Sequence, residues 1–145
     1  LAWVEGLAAE IRLARNDAGG AIRILEAAQK QFPSSRSVSY ALADARILGG
    51  RADVAATELR RRIDNRSGDP RLWQLLSRAY AALGQRTEQH RTQAEVYYLR
   101  GSLPAAIEQL EIARRASDGD FYTLSAVDAR LRELKQRLLE EKRER

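Results

Sequence analysis

Apolar side chains recur along this chain at helical spacing, and the whole pattern then recurs at a longer period. Three turn-type residues, Asn16, Gly50 and Gly84, stand 34 residues apart and serve as anchors for the comparison. Five residues after the anchor come Ala21 and Ala55, and nine after it come Leu25 and Leu59. Seven and eight residues before it come Ala9 and Ala8, Ala43 and Leu42, Ser77 and Leu76. Small residues let two helices approach closely, and leucines fill the space between them. The pattern predicts helices over about 2–15, 17–31, 35–48, 51–65, 70–83, 86–100, 103–116 and 123–142. Punctuation agrees with this register. Pro33 follows the second helix, Asp69-Pro70 reads as an N-cap with a first-turn proline, and Gly49-Gly50 and Gly84 supply turns.

The period breaks once. The next anchor, Gly101, lies only 17 residues after Gly84, yet Ala106, Leu110 and Ala113 follow it at the expected offsets and Tyr97 stands where Tyr80 stood before. The helix around 86–100 therefore closes one unit and opens the next. Gln89 and Gln93 replace the apolar residues the third unit wants there, and a change of superhelical pitch is expected at this point. After Asp118-Gly119-Asp120, Val127, Leu131, Leu134 and Leu138 form one apolar stripe, with Ser125 to Asp128 read as its capping box and a wholly charged end from Glu140 to Arg145.

A helical period of 34 is the length of a tetratricopeptide repeat, a helix–turn–helix unit that stacks on its neighbours. The third unit also resembles that family in detail, since Trp73, Leu76, Tyr80 and Gly84 match its W-x2-L-x3-Y-x3-G spacing. The expected fold is all-α, a solenoid of antiparallel helix pairs, about eight helices in one domain over 1–145. Its units run about 2–33, 36–68 and 70–100, with an overlapping half-repeat at 87–117 and a capping helix at 123–142. The resemblance implies that the first helix of each unit lines a concave partner-binding face. Carried over by position, that face comprises Trp3, Glu10 and Leu13, then Tyr40, Asp44 and Ile47, then Arg71, Gln74 and Arg78, with Arg91, Glu95 and Tyr98 added by the overlapping unit. A wall of aromatics mixed with arginine suits protein recognition. The carboxylate-clamp variety of these repeats is not supported, because Gly6, Tyr40 and Gln74, then Glu10, Asp44 and Arg78, stand where its lysines and asparagines would be.

Composition narrows the reading further. With no cysteine among 145 residues, disulfides and thiolate metal sites are excluded. The net charge of +5 and a pI near 10 invite a nucleic-acid reading. The basic residues are nevertheless spread among 20 acids, and the only run, Arg60-Arg61-Arg62, reads as a solvated helix face. No stretch is long and apolar enough to span a membrane, and no signal peptide is visible. A start at Leu1 and the lack of any methionine read as a piece of a longer protein. The single histidine, His90, takes a packing position between helices rather than a zinc or general-base role, and Gly19-Gly20 and Gly49-Gly50 are turn glycines rather than a phosphate loop. Tyr97-Tyr98 and Phe121-Tyr122 are expected to pack in the core rather than stack on bases. No catalytic, cofactor or metal residue is assigned.

From Asp69 onward the chain resembles a narrower group. The run DPRLWQLLSRAYAALGQRTEQHRTQAEVYYLRGSLPAAIEQLEIA and the following DFYTLSAVDARLREL are similar to the C-terminal region of bacterial zinc-dependent peptidases of the β-barrel-assembly-enhancing type. That resemblance implies a periplasmic protein, with the cytoplasm as the alternative. Its members carry an upstream catalytic domain that holds zinc on an HExxH helix, and repeats that engage the outer-membrane assembly machinery and its misassembled clients. HExxH is absent here, so zinc is expected only in a domain outside these residues. The alternatives are a free-standing scaffold in an envelope or secretion complex and an arginine-mediated nucleic-acid binder, the latter recognisable by steep salt dependence.

Overall fold

The computed structural model describes all 145 residues, in eight α-helices without a strand. They are α1 (Ala2–Ala14), α2 (Ala18–Gln31), α3 (Arg36–Leu48), α4 (Ala52–Asn65), α5 (Pro70–Ala82), α6 (Arg86–Leu99), α7 (Leu103–Arg115) and α8 (Phe121–Arg143). Every end lies within two residues of its expected place. Four tight reversals each pass through one residue in the left-handed backbone region: Asn16 at φ 58°, Gly50 at 76°, Gly84 at 72° and Gly101 at 86°. The next backbone N–H, of Asp17, Arg51, Gln85 or Ser102, then donates to the carbonyl five residues back at 2.8, 2.7, 3.0 and 2.9 Å. This bond satisfies a carbonyl that the helix end would otherwise leave open, and only glycine or a residue such as asparagine reaches the required φ at low cost.

The other connections are longer and end in a side-chain cap. Ser35 accepts from the Val38 N–H at 3.3 Å, Asp69 from the Arg71 N–H at 3.0 Å, and Asp120 from the Thr123 N–H at 2.8 Å. The last of these corrects the expectation for α8, which starts at Phe121 under an Asp120 cap. Ser125, read as the start of a capping box, is already inside the helix. Asp120 wins because its carboxylate meets the first free N–H groups of the helix.

The apolar core runs along the stack as three clusters. One joins α1, α2 and α3 around Ala9, Ala21, Leu25 and Leu42. The largest joins α3, α4 and α5 around Leu59, Leu72, Leu75 and Tyr80. The third joins α6, α7 and α8 around Leu110, Val127, Leu131 and Leu134. The repeat positions Ala21, Ala55 and Ala106 are fully buried, as their helix-contact role demands. Between the second and third clusters the packing turns polar. Ser77, Thr87 and Thr92 are buried there with their hydroxyls satisfied, Ser77 by donating to the Gln89 carbonyl at 3.0 Å, Thr92 to that of Glu88 at 2.8 Å, and Thr87 to the Asp118 carboxylate at 2.7 Å. Helix α6 is packed from both sides and cannot offer one apolar stripe to each.

The order of turns decides the curvature. Tight and long connections alternate until α5, and then two tight turns follow in succession, at Gly84 and Gly101. Among non-adjacent helices, α1 approaches α3, α3 approaches α5, and α6 approaches α8, whereas α2 and α4, α4 and α6, and α5 and α7 stay apart. Helices crowd on the inner side of a bend. The inner layer is therefore α1, α3 and α5 in the first part of the stack and α6 and α8 in the last, so the concave side changes layers at α6.

That junction is closed by a cap supplied from a distance. Gln85 gives α6 no side-chain cap; instead Asp118, on the α7–α8 connection, accepts from the Arg86 and Thr87 N–H groups at 2.6 and 3.0 Å and from the Thr87 hydroxyl at 2.7 Å. The Thr87 hydroxyl and these amides hold the Asp118 carboxyl below the ordinary 3.8.

Gly84→Ala, with no neighbouring atom within 4 Å of the new methyl, is strained by φ alone and should lose about 1 kcal/mol, while Asn16→Gly should gain roughly half as much, both read from urea midpoints. Asp118→Ala should cost about 1 kcal/mol at pH 7 as a lost cap. Because the folded pKa is depressed, that contribution is present above the ordinary carboxylate value and fades as pH falls through the folded one, so the stability gap between wild type and variant should narrow only at pH below the ordinary 3.8.

Candidate functional site

The nine expected groove residues on α1, α3 and α5 lie on helices of one layer and divide by what they touch. Leu13 and Ile47 are half-buried against the core clusters and act as packing residues. Tyr40 is partly buried and donates its hydroxyl to Asp69, the cap of α5, so it ties α3 to α5. Burial, followed by that carboxylate, pushes the Tyr40 phenol above its ordinary pKa. Asp44 and Arg78 form a second tie between the same helices, at 2.7 Å. Exposed groups free to meet a partner are Trp3, which is 69% exposed, Glu10, and Arg71, which donates to Gln74 Oε1 at 3.1 Å.

Between α1 and α3 this wall opens into a slot of about 410 Å³, with Trp3, Leu7, Val38 and Ala41 as its apolar lining and Glu10 beside them. Gly6 makes the room. Its repeat equivalents 34 and 68 residues on are Tyr40 and Gln74, so α1 lacks the side chain that α3 and α5 carry there. The missing side chain was visible in the sequence, but only the packing shows that no other side chain of these 145 residues fills its place.

Arg91, Glu95 and Tyr98 lie apart from these nine. They sit on α6, where the bend has changed layers, and α8 covers two of them. Arg130 reaches both Glu95 oxygens at 2.8 and 2.9 Å and Glu133 at 2.8 Å, while its guanidinium lies 4.6 Å from the Tyr98 ring centroid. Arg137 donates to the Tyr98 hydroxyl at 2.5 Å. Arg91 pairs with Glu88 at 3.2 Å. Burial works against the Arg130 charge, but Glu95 and Glu133 hold its pKa above the ordinary value. A second cleft, of about 350 Å³, separates Trp73 on α5 from Arg91 and Glu95 on α6 and Ala126, Ala129 and Arg130 on α8. The ties from α8 were not foreseen. They join residues 35 or more positions apart, and a lone arginine on a helix carries no signal of its partner.

Other candidates resolve into structure. His90 Nδ1 meets Gln109 Oε1 on α7 at 2.8 Å. The arginine run divides between two partners: Arg60 donates to the Tyr80 hydroxyl at 2.8 Å, while Arg61 and Arg62 both pair with Glu58. No three His, Cys, Asp or Glu side chains converge as metal ligands, and no helix is long and apolar enough to cross a membrane. Tyr97 and Tyr98 pack against the third cluster, but Phe121 and Tyr122 do not enter the core. They are 78% and 82% exposed, edge to face at 5.9 Å, which corrects the expectation of burial. With about 100° of rotation per residue, both point well away from the Val127–Leu131–Leu134 stripe.

Residues 12–79 match the family model described as Tetratricopeptide repeat. Over 135 residues the chain is 34% identical to the beta-barrel assembly-enhancing protease of Escherichia coli (strain K12), and to the proteins of that name from Shigella flexneri and Escherichia coli O157:H7. These alignments take in 93% of the chain and 28% of each relative, so the chain spans little more than a quarter of their length. The expected repeat family and the helical solenoid are both borne out, and so is the resemblance to this group of proteases, which extends well upstream of Asp69.

The Asp44–Arg78 tie can be separated from any binding role. Arg78→Glu should cost about 1 kcal/mol through like-charge repulsion, and adding Asp44→Arg should restore most of it, as read by thermal melts of the single and double variants.

Proposed function

Taking a tetratricopeptide-repeat solenoid as the premise, we propose that this chain is the partner-binding region of a periplasmic zinc peptidase that acts in outer-membrane protein assembly. The carrying observation is the wall of α1, α3 and α5, where Trp3, Arg71 and the slot above Gly6 are left open while neighbouring side chains are tied down. Likeness over nearly the whole chain to proteases named for β-barrel assembly supports the choice of partner. On this reading the wall takes a segment of an unassembled outer-membrane protein or of the machinery that assembles it. A catalytic domain elsewhere in the polypeptide would hold the zinc, and these residues would contribute by holding the client nearby, which raises its effective concentration at the peptidase. An open wall suits such a client. Side chains enter from solvent, few groups must be ordered on the protein side, and release remains fast.

The test uses variants that leave the fold intact. Tyr40 and Arg78 are unsuitable, because both tie helices together. Trp3→Ala and Arg71→Glu remove exposed groups only. Each should weaken binding of a urea-unfolded outer-membrane β-barrel protein, diluted into buffer with the chain, by about tenfold, the loss expected for an interfacial anchor. Far-UV melts should be unchanged. Unaltered affinity in both variants would remove the wall from the binding site.

A further inference from the structure

We infer that the slot between α1 and α3 receives one bulky apolar side chain of a partner peptide, with a lysine or arginine next to it that meets Glu10. The inference rests on the reading of this wall as the partner-binding face and specifies what it selects.

Repeat geometry supplies the first part. In the crevice between α3 and α5, Tyr40 spans the gap to Asp69 and closes it from within. In the crevice between α1 and α3 the equivalent residue is Gly6, and no atom outside its own helix backbone lies within 4 Å of where its Cβ would be. Small residues on the facing helix, Ser37 and Ala41, keep the space open, and Trp3 and Leu7 wall it. A volume of about 410 Å³ is near the lower end of the ligand-site range of roughly 300–1,000 Å³. It admits a large side chain, not a folded element. Burying such a group against Trp3 and Leu7 removes apolar surface from water on both partners.

Charge supplies the second part. Across α3 and α5, Asp44 is answered by Arg78. The same two repeat positions across α1 and α3 are Glu10 and Asp44, two carboxylates that cannot pair with each other. Glu10 lines the slot, is exposed and has no ion-pair partner, so a ligand can supply here the cation that the next crevice carries internally. An apolar anchor with an adjacent cation satisfies both conditions, whereas an acidic neighbour would be repelled.

The experiment is an NMR titration of the whole 15N-labelled chain with an acetylated, amidated peptide, Ser-Gly-Phe-Arg-Gly-Ser-Gly, and with two controls in which Phe becomes Ser or Arg becomes Glu. Shifts should be confined to the Trp3 indole N–H, Gly6, Leu7 and Ala41, and should weaken at least tenfold with either control. Gly6→Leu sends a side chain into the slot from a Cβ with no neighbour within 4 Å and replaces a helix-interior glycine by a better helix former, so the variant should melt higher and still lose the peptide tenfold or more. Glu10→Lys should reverse the preference between the Arg and Glu peptides. Equal binding by wild type and Gly6→Leu, or by the Phe and Ser peptides, overturns the inference. The unfolded β-barrel client separates this failure from that of the wall as a whole. If Arg71→Glu weakens client binding and Gly6→Leu does not, the slot is wrong and the wall stands; if neither weakens it, both fall.

Discussion

The stack depends on reversing the chain within three residues at a cost the helices can bear. Asn16, Gly50, Gly84 and Gly101 do this by entering the left-handed region, and the backbone bond that follows each one fixes how the next helix leaves. Two antiparallel helices held this way meet along a seam of alanine and leucine, Ala21 with Leu25 and Ala55 with Leu59, but such a pair is too small to bury its apolar stripe alone. Each therefore needs its neighbour, and the core becomes a chain of clusters rather than one centre.

The same device, used twice in succession, produces the departure from regular stacking. With left-handed turns at both of its ends, α6 is the second helix of one pair and the first of the next. Burial on two sides rules out a single stripe, which accounts for its threonines and glutamines and for hydroxyls that donate to backbone carbonyls. It also explains why the cap of α6 comes from Asp118 on a connection 31 residues later, a clasp that holds the change of layers in place.

On the proposed reading, recognition resides where one repeat differs from the next. A crevice whose side chains answer each other, as Tyr40 answers Asp69 and Asp44 answers Arg78, is part of the scaffold. A crevice with a glycine in place of the tyrosine and a second carboxylate in place of the arginine has room and charge left over. Variation between repeats on a constant frame thus makes one surface structural and its neighbour available, with no alteration of the backbone.

Most of the architecture was legible in the chain itself, because helix ends and turns are set by local chemistry. Left-handed glycines, Asp69-Pro70 and the period of small and large residues act within a few positions of one another, and the helices fall within two residues of where they place them. Local signals also misled where two competed, as at Ser125, where Asp120 lay nearer the free N–H groups and took the cap. The sites are another matter. That Tyr40 and Arg78 brace helices while Trp3 and Arg71 stay free, that Glu95 and Tyr98 are covered by Arg130 and Arg137, and that the concave side changes layers at α6 are facts about side chains from distant turns meeting in space. A sequence period records which residues face the same way. Only packing in three dimensions determines which of them find a partner and which are left open to bind one.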